Sequence, residues 1–597
     1  MADLRNVKPG DATRDHQALN LANACTSSER PYAEALLGLL GPHARLSSMQ
    51  DRLQRGRDAF ARHAWTMTYD AFADASWADI EGADLERFAV AAYMIGKDDD
   101  SAAAWEAAYR RYAKADNAAD AARCAFWLAL GLLLRGQIAQ AGGWLSRTEG
   151  IIEAAEIECA AVGYLLIPAL LGALEEGNAT GAQTMAVQAT EIGERFDDPD
   201  LGALGTLAHG QALIGMGDTP TGIARLDDVM VSVTGGEVGP ITSGIVYCAV
   251  VLECIRLFDF ARALEWTKAL SVWCDEQPDL VPFRGQCLVH RSQLQQLSGD
   301  WRDAIMTIES ARRRLTDPPH PALGLAYYHE AELHRLTGAF DDAEAEYLQA
   351  NRHGYPPMPG LALLELARAD ASAAAATIRR ALQEVDNPLN RPALLAAAVE
   401  IFRAAGDVQE VRIAADELAG IAAGSSSAAI SAMATQAVGT ALLGEGAASD
   451  ALTHLRAAAG AWHRCNMPYE SARTALLLGV ACAALGDKVS AALEFRSARD
   501  AFTELGARPD LDRLDSLAAA LGAAVESQGA TDLASTLSAR EREVLTHVAA
   551  GKTNKEIATA LLISDHTVGR HLENIFAKLG VTTRAAAIAY AYEHRVL

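Results

Sequence analysis

The chain has 597 residues, half of them apolar, with 52 Lys or Arg against 77 Asp or Glu and a net charge of −25. That length exceeds what one core organises, so several domains or a long repeat array are expected. The acidity argues against a body that touches nucleic acid. Nine cysteines with no Cys-x-x-Cys pair exclude a zinc ribbon or redox motif and fit reduced, buried thiols in a cytoplasmic protein.

The N-terminal stretch, 1–48, lacks an apolar leader core and is expected to be partly disordered, with one capping helix. No apolar run reaches the length of a membrane span: the longest, Cys159 to Leu174, contains Gly163, Pro168 and Gly172.

From 49 to 522 the chain keeps a beat of about forty residues. Turn residues recur at Gly56, Gly96, Gly136, Gly177, Gly217, Phe258, Gly299 and Gly338. After an irregular patch they resume at Gly406, Gly446 and Gly486. Ala61, Ala141, Ala182, Ala304, Ala343, Ala451 and Ala491 each follow such a turn by five positions. The spacing predicts helix hairpins: the turn residue supplies a left-handed C-cap, and the small Ala lets the next helix pack close. One hairpin cannot bury its apolar face, so copies stack into an α-solenoid. Regular Gly and Ala/Leu richness mean packing rather than chemistry. Trp105, Trp144 and Trp301 read as wedges between helices. The repeat resembles tetratricopeptide repeats, with a beat longer than that family's 34 residues. A curved stack of this kind offers a concave groove for a protein or small-molecule effector.

Two motifs here are set aside. His329 and His334 in "HEAELH" stand five apart, whereas zinc ligation on one helix face needs four; the fifth position has turned by roughly 140°. "KDDDS" at Lys97 reads as a solvated loop. No catalytic, cofactor or metal constellation is present, so no enzyme activity, metal or cofactor is expected. The small, polar stretch beginning at Ala523 reads as a linker, 523–532.

The remainder, 533–597, differs in charge. Eight Lys or Arg face six Asp or Glu, a balance of +2 that leaves −27 on the rest. Four short helices are punctuated explicitly. Ser538 and Glu541 form one capping box, Thr553 and Glu556 a second, and Ser564 caps a third helix running to Leu579. "TTR" opens a fourth. Gly551-Lys552-Thr553 therefore ends one helix and caps the next. It is not a phosphate loop, because a P-loop glycine would stand at Thr546. The second and third helices, joined by a tight turn, make a helix-turn-helix. On the third, Val568, Leu572, Ile575 and Leu579 form an apolar stripe. The opposite face carries His566, Arg570 and Glu573, with Gly569 and Asn574 beside it.

The segments "LSAREREVL", "GKTNKEIA", "LLIS", "HTV", His571, "NIFAKLGV" and "TRAAA" closely resemble the LuxR/FixJ-type DNA-binding domain over about a tenth of the chain. The resemblance implies a four-helix domain that binds double-stranded DNA through helix three and, in many members of the family, dimerises through helix four. Related large regulators join such a tail to helical repeats, some with an ATPase domain; no ATPase motif occurs here. His566, Gly569, Arg570, Glu573 and Asn574 are then the base-reading candidates. Arg570 suits guanine and Asn574 adenine. Thr553, Asn554, Lys555, Thr567, His571 and Lys578 suit phosphate contacts. The family commonly has Lys where this chain has Gly569, so base preference does not transfer. The expected whole is an all-α, cytoplasmic transcriptional regulator. The competing reading is an interaction scaffold whose tail has lost specific DNA binding.

Overall fold

The computed structural model describes residues 42–521 apart from 74, 76, 78–79, 278, 282–283, 317–319, 321 and 386–388, and then residues 537–549, 552–561 and 563–579. Every regular element among them is a helix. The chain divides into two compact units, Met1–Ala523 and Ala524–Leu597. The expected N-terminal capping helix, the linker and the fourth tail helix lie outside the described residues.

The first unit is a tetratricopeptide-like α-solenoid of antiparallel hairpins. Ten of the eleven expected turn residues, all but Gly56, have positive φ, including the non-glycine Phe258 at 57°. Left-handed residues also occur midway between many of them, at Asp116, Glu156, Asp197, Gly236 and Asn466. The physical period is thus about twenty residues, one helix, and the forty-residue beat is every second turn. The intervening turns escape a search for glycine because Asp, Glu and Asn occupy most of them; Asp and Asn tolerate the left-handed region through local hydrogen bonds. At eight turns the left-handed residue is followed directly by an Asp or Asn N-cap: Asn117, Asn178, Asp198, Asp218, Asp259, Asp370, Asp407 and Asp487. Each side chain accepts a backbone N–H three residues on, as in Asp487 from Ser490 at 3.0 Å. One helix is ended and the next begun within two residues.

Ala141, Ala182, Ala304, Ala343, Ala451 and Ala491 are fully buried, as the hairpin argument requires. Gly193 goes further: a Cβ there would lie 2.6 Å from the Gly202 backbone nitrogen, so the helices Ala179–Arg195 and Pro199–Gly215 meet backbone to backbone. Two expectations are corrected. Gly56 lies inside the helix Pro42–Ala61, buried beside Phe72, and the turn falls at His63; Ala61 is correspondingly exposed. The acidic run after Lys97 is the first turn of the helix Asp98–Lys114, where acids oppose the helix dipole favourably. Two of its members are engaged: Tyr69 donates to Asp100 at 2.7 Å and Arg135 to Asp99 at 2.8 Å. The irregular patch contains the eight-residue helix Gly360–Ala367.

The tryptophans pack between helices, Trp105 against Trp127 and Trp144 against Tyr109. The solenoid also coils onto itself, so that residues far apart in sequence meet. The Trp65 indole donates to Gln277 at 3.0 Å, the Val281 N–H to the Met94 carbonyl at 2.8 Å, and the Ser427 hydroxyl to the Phe258 carbonyl at 3.0 Å. Trp301 packs on Tyr469. The coil forms a deep, partly open cavity of about 1770 Å³. Among the described residues no helix is long and apolar enough to cross a membrane.

Candidate nucleic-acid interface

The second unit is built on three described helices, Ala539–Ala549, Asn554–Leu561 and Asp565–Leu579. Each begins where its cap residue dictates. Ser538 donates its N–H to Glu541 at 2.7 Å while Glu541 donates its own to the Ser538 hydroxyl at 3.2 Å. Thr553 and Glu556 repeat the exchange at 2.7 and 3.4 Å. The Ser564 hydroxyl accepts the Thr567 N–H at 3.1 Å. A cap of this kind stabilises a helix by about 1 kcal/mol. The Glu556 carboxyl is held below its ordinary range by the Thr553 backbone and hydroxyl.

Val568 and Ile575 are fully buried and Leu572 nearly so, and they meet Val544, Leu545, Val548 and Ile557 in one small core. That stripe fixes the rotation of the third helix. Arg570 and Asn574 stand exposed, four apart and therefore on one face. An added Cβ at Gly569 would meet nothing within 4 Å. His566 and Glu573 belong to the same helix, but their side chains lie outside what is described.

The candidates for phosphate contact separate into two groups. Thr553 and Lys555 are exposed at the start of the second helix, with Asn554 half-buried between them; Thr567 and His571 are half-buried on the third. Thr567 also shares a hydroxyl contact with Ser564 at 2.7 Å. Lys578 has a different partner. Its Nζ donates to Glu541 at 2.7 Å, tying the end of the third helix to the start of the first. That ammonium, with the Ser538 N–H behind it, lowers the Glu541 carboxyl to about 2. Arg540 is occupied too, capping the Leu561 carbonyl that ends the second helix and pairing with Glu543. Arg542 donates to the Leu537 carbonyl at 3.2 Å. Among the described residues Lys555 and Arg570, on the second and third helices, make no ion pair, so both charges are left for an anionic ligand. The engagement of Arg540 and Lys578 was missed from sequence, because their partners stand 21 and 37 residues away and no short-range pattern marks them.

Three helices of which the second and third form a capped, tightly joined pair define a helix-turn-helix domain. Residues 535–591 match the family described as "Bacterial regulatory proteins, luxR family", so this chain carries a domain of that family at its C-terminal end. The "Probable transcriptional regulatory protein NarL" of Mycobacterium tuberculosis is 46% identical over 70 residues, 12% of this chain and 32% of that protein. The "Uncharacterized transcriptional regulatory protein YhcZ" of Bacillus subtilis is 48% identical over 60 residues, 10% of this chain and 28% of that protein. The chain thus spans about a third of the length of the curated relatives it matches. A solved human IFIT1 dimer aligns with 75% of this chain and 93% of its own at 12% identity and a TM-score of 0.35, too loosely to carry an argument.

Proposed function

We propose that the protein is a DNA-binding transcriptional regulator whose C-terminal helix-turn-helix reads promoter DNA and whose helical-repeat body senses a protein or small-molecule effector and controls the tail. One observation carries the reading. The third tail helix is locked by its buried stripe so that Arg570 and Asn574 face solvent together, on a helix capped and joined tightly to its partner. In a major groove the Arg570 guanidinium reaches guanine O6 and N7 in bidentate fashion, and Asn574 pairs with adenine N6 and N7. His566, Gly569 and Glu573 share that helix and complete the base-reading set. Thr553, Asn554, Lys555, Thr567 and His571 flank it and hold phosphates, which sets register without reading sequence. The relatives that share the tail are named transcriptional regulatory proteins, which supports the reading. The acidic body supplies no DNA contacts and acts through occlusion or oligomer state.

The test is footprinting of genomic fragments with the full chain and with a chain lacking residues 533–597. Discrete protected sites that vanish with the deletion support a sequence-reading regulator. Uniform or absent protection by the full chain overturns it in favour of a scaffold with a non-reading tail.

A further inference from the structure

A second, smaller cavity of about 190 Å³ adjoins the large one and shares Glu400, Arg473 and Arg513 with it. Three guanidiniums, Arg403, Arg473 and Arg513, line the smaller cavity together with three carboxylates, Glu400, Glu470 and Asp510. Arg513 donates to Glu400 at 2.6 Å, and Arg473 donates to the other oxygen while also pairing with Glu470 at 3.1 Å. Burial alone would raise the Glu400 carboxyl, but Arg473 and Arg513 hold it down at about 2. Both of its oxygens are taken. Arg403, one helical turn further on and half-buried in the wall, forms no ion pair or hydrogen bond through its guanidinium with any described residue. Burial, with Arg513 and Arg473 pressing on it against the opposing pull of Glu400, lowers its pKa to about 10. Glu400 and Glu470 are held by Arg473 and Arg513, and Asp510 accepts from Tyr469, so Arg403 is left without a carboxylate partner of its own, and a half-buried unpaired cation is stabilised by an added anion. The lining also includes the apolar and aromatic side chains of Met433, Trp462 and Met467. The volume is close to the ~150 Å³ apolar cavity that admits benzene.

We propose that this cavity binds a small organic anion, its carboxylate or phosphate head on Arg403 and its apolar body against Trp462, Met433 and Met467. The proposal names the ligand class and site for the effector-sensing role of the body, and rests on that reading. In the large cavity next door, the buried imidazole of His329 has an unpartnered Nε2, a further polar group available to a longer ligand.

The experiment titrates the full-length chain with phenylacetate, phenyl phosphate and the neutral 2-phenylethanol, read by tryptophan fluorescence and calorimetry. At least one anion should bind saturably, at least about tenfold tighter than 2-phenylethanol, since a charge-assisted contact is worth that factor or more. The two anions distinguish a carboxylate from a phosphate head. Arg403→Met should remove the preference for the anion and Arg403→Lys should restore part of it. The unliganded Arg403→Met chain should unfold at the same or a higher temperature, because a half-buried charge without an ion-pair partner has gone. Anions binding no better than the alcohol, unchanged binding by Arg403→Met, or a lowered unfolding midpoint would each overturn the proposal. Promoter affinity measured with the same probes reads the regulatory role separately. Arg403-dependent binding that leaves promoter affinity unchanged keeps the site and counts against control of the tail.

Discussion

Replacing Glu541 by Gln in residues 531–597 tests the tie that closes the tail. Glu541 is almost fully buried, accepts from Lys578 and from the Ser538 N–H at 2.7 Å each, and is lowered to about 2 from 4.5. Taken whole, that shift would amount to about 3 kcal/mol. Lys578 is 41% exposed, and solvent screening of its charge reduces the expected contribution to about 1–2 kcal/mol. A carboxyl depressed in the folded state contributes fully above its unfolded value, near 4.5, and the contribution fades as pH falls through about 2. Urea unfolding followed by circular dichroism should therefore show Glu541→Gln less stable by about 1–2 kcal/mol at pH 7. The difference should shrink steadily between about pH 5 and 2. Lys578→Ala should lose stability as well, and the double variant should lose less than the sum. Additive losses, or the same deficit at pH 2 as at pH 7, would refute the tie.

Arg570→Ala should weaken binding to the preferred site by roughly 1–3 kcal/mol and relax selection at one base pair, measured by competition among site variants. Lys555→Ala should reduce the slope of log affinity against log salt by about 0.9, whereas Lys578→Ala should change it less, because its charge is already paired. The full chain and residues 531–597, at equal stoichiometry on DNA, should give the same salt slope; a steeper slope for the full chain would expose a basic stripe on the body. In the body, Gly193→Ala should lower the unfolding midpoint, since its Cβ meets backbone that cannot yield. Gly202→Ala, with open space around it, should leave the midpoint unchanged or raise it.

The sequence by itself determined the local grammar of this protein. Capping boxes, the Val568–Leu572–Ile575 stripe and ten left-handed turns are readable because each is settled by residues within about one helical turn of one another. The same locality explains the misreadings. Gly56 carries the spacing of a turn yet sits mid-helix, and Asp116, Glu156 and Asp197 make turns without glycine. The register of the solenoid's coil was set elsewhere, by contacts such as Trp65 with Gln277 and Ser427 with Phe258. These join residues 212 and 169 positions apart and leave no periodic trace. Tertiary structure alone therefore decided how the helices come together around a deep cavity and that Lys578 serves Glu541. It alone decided that Arg403 stands beside Arg473 and Arg513, whose own carboxylate partners leave it unpaired. Each is a meeting of side chains whose composition the sequence records but whose proximity depends on how the helices stack and coil.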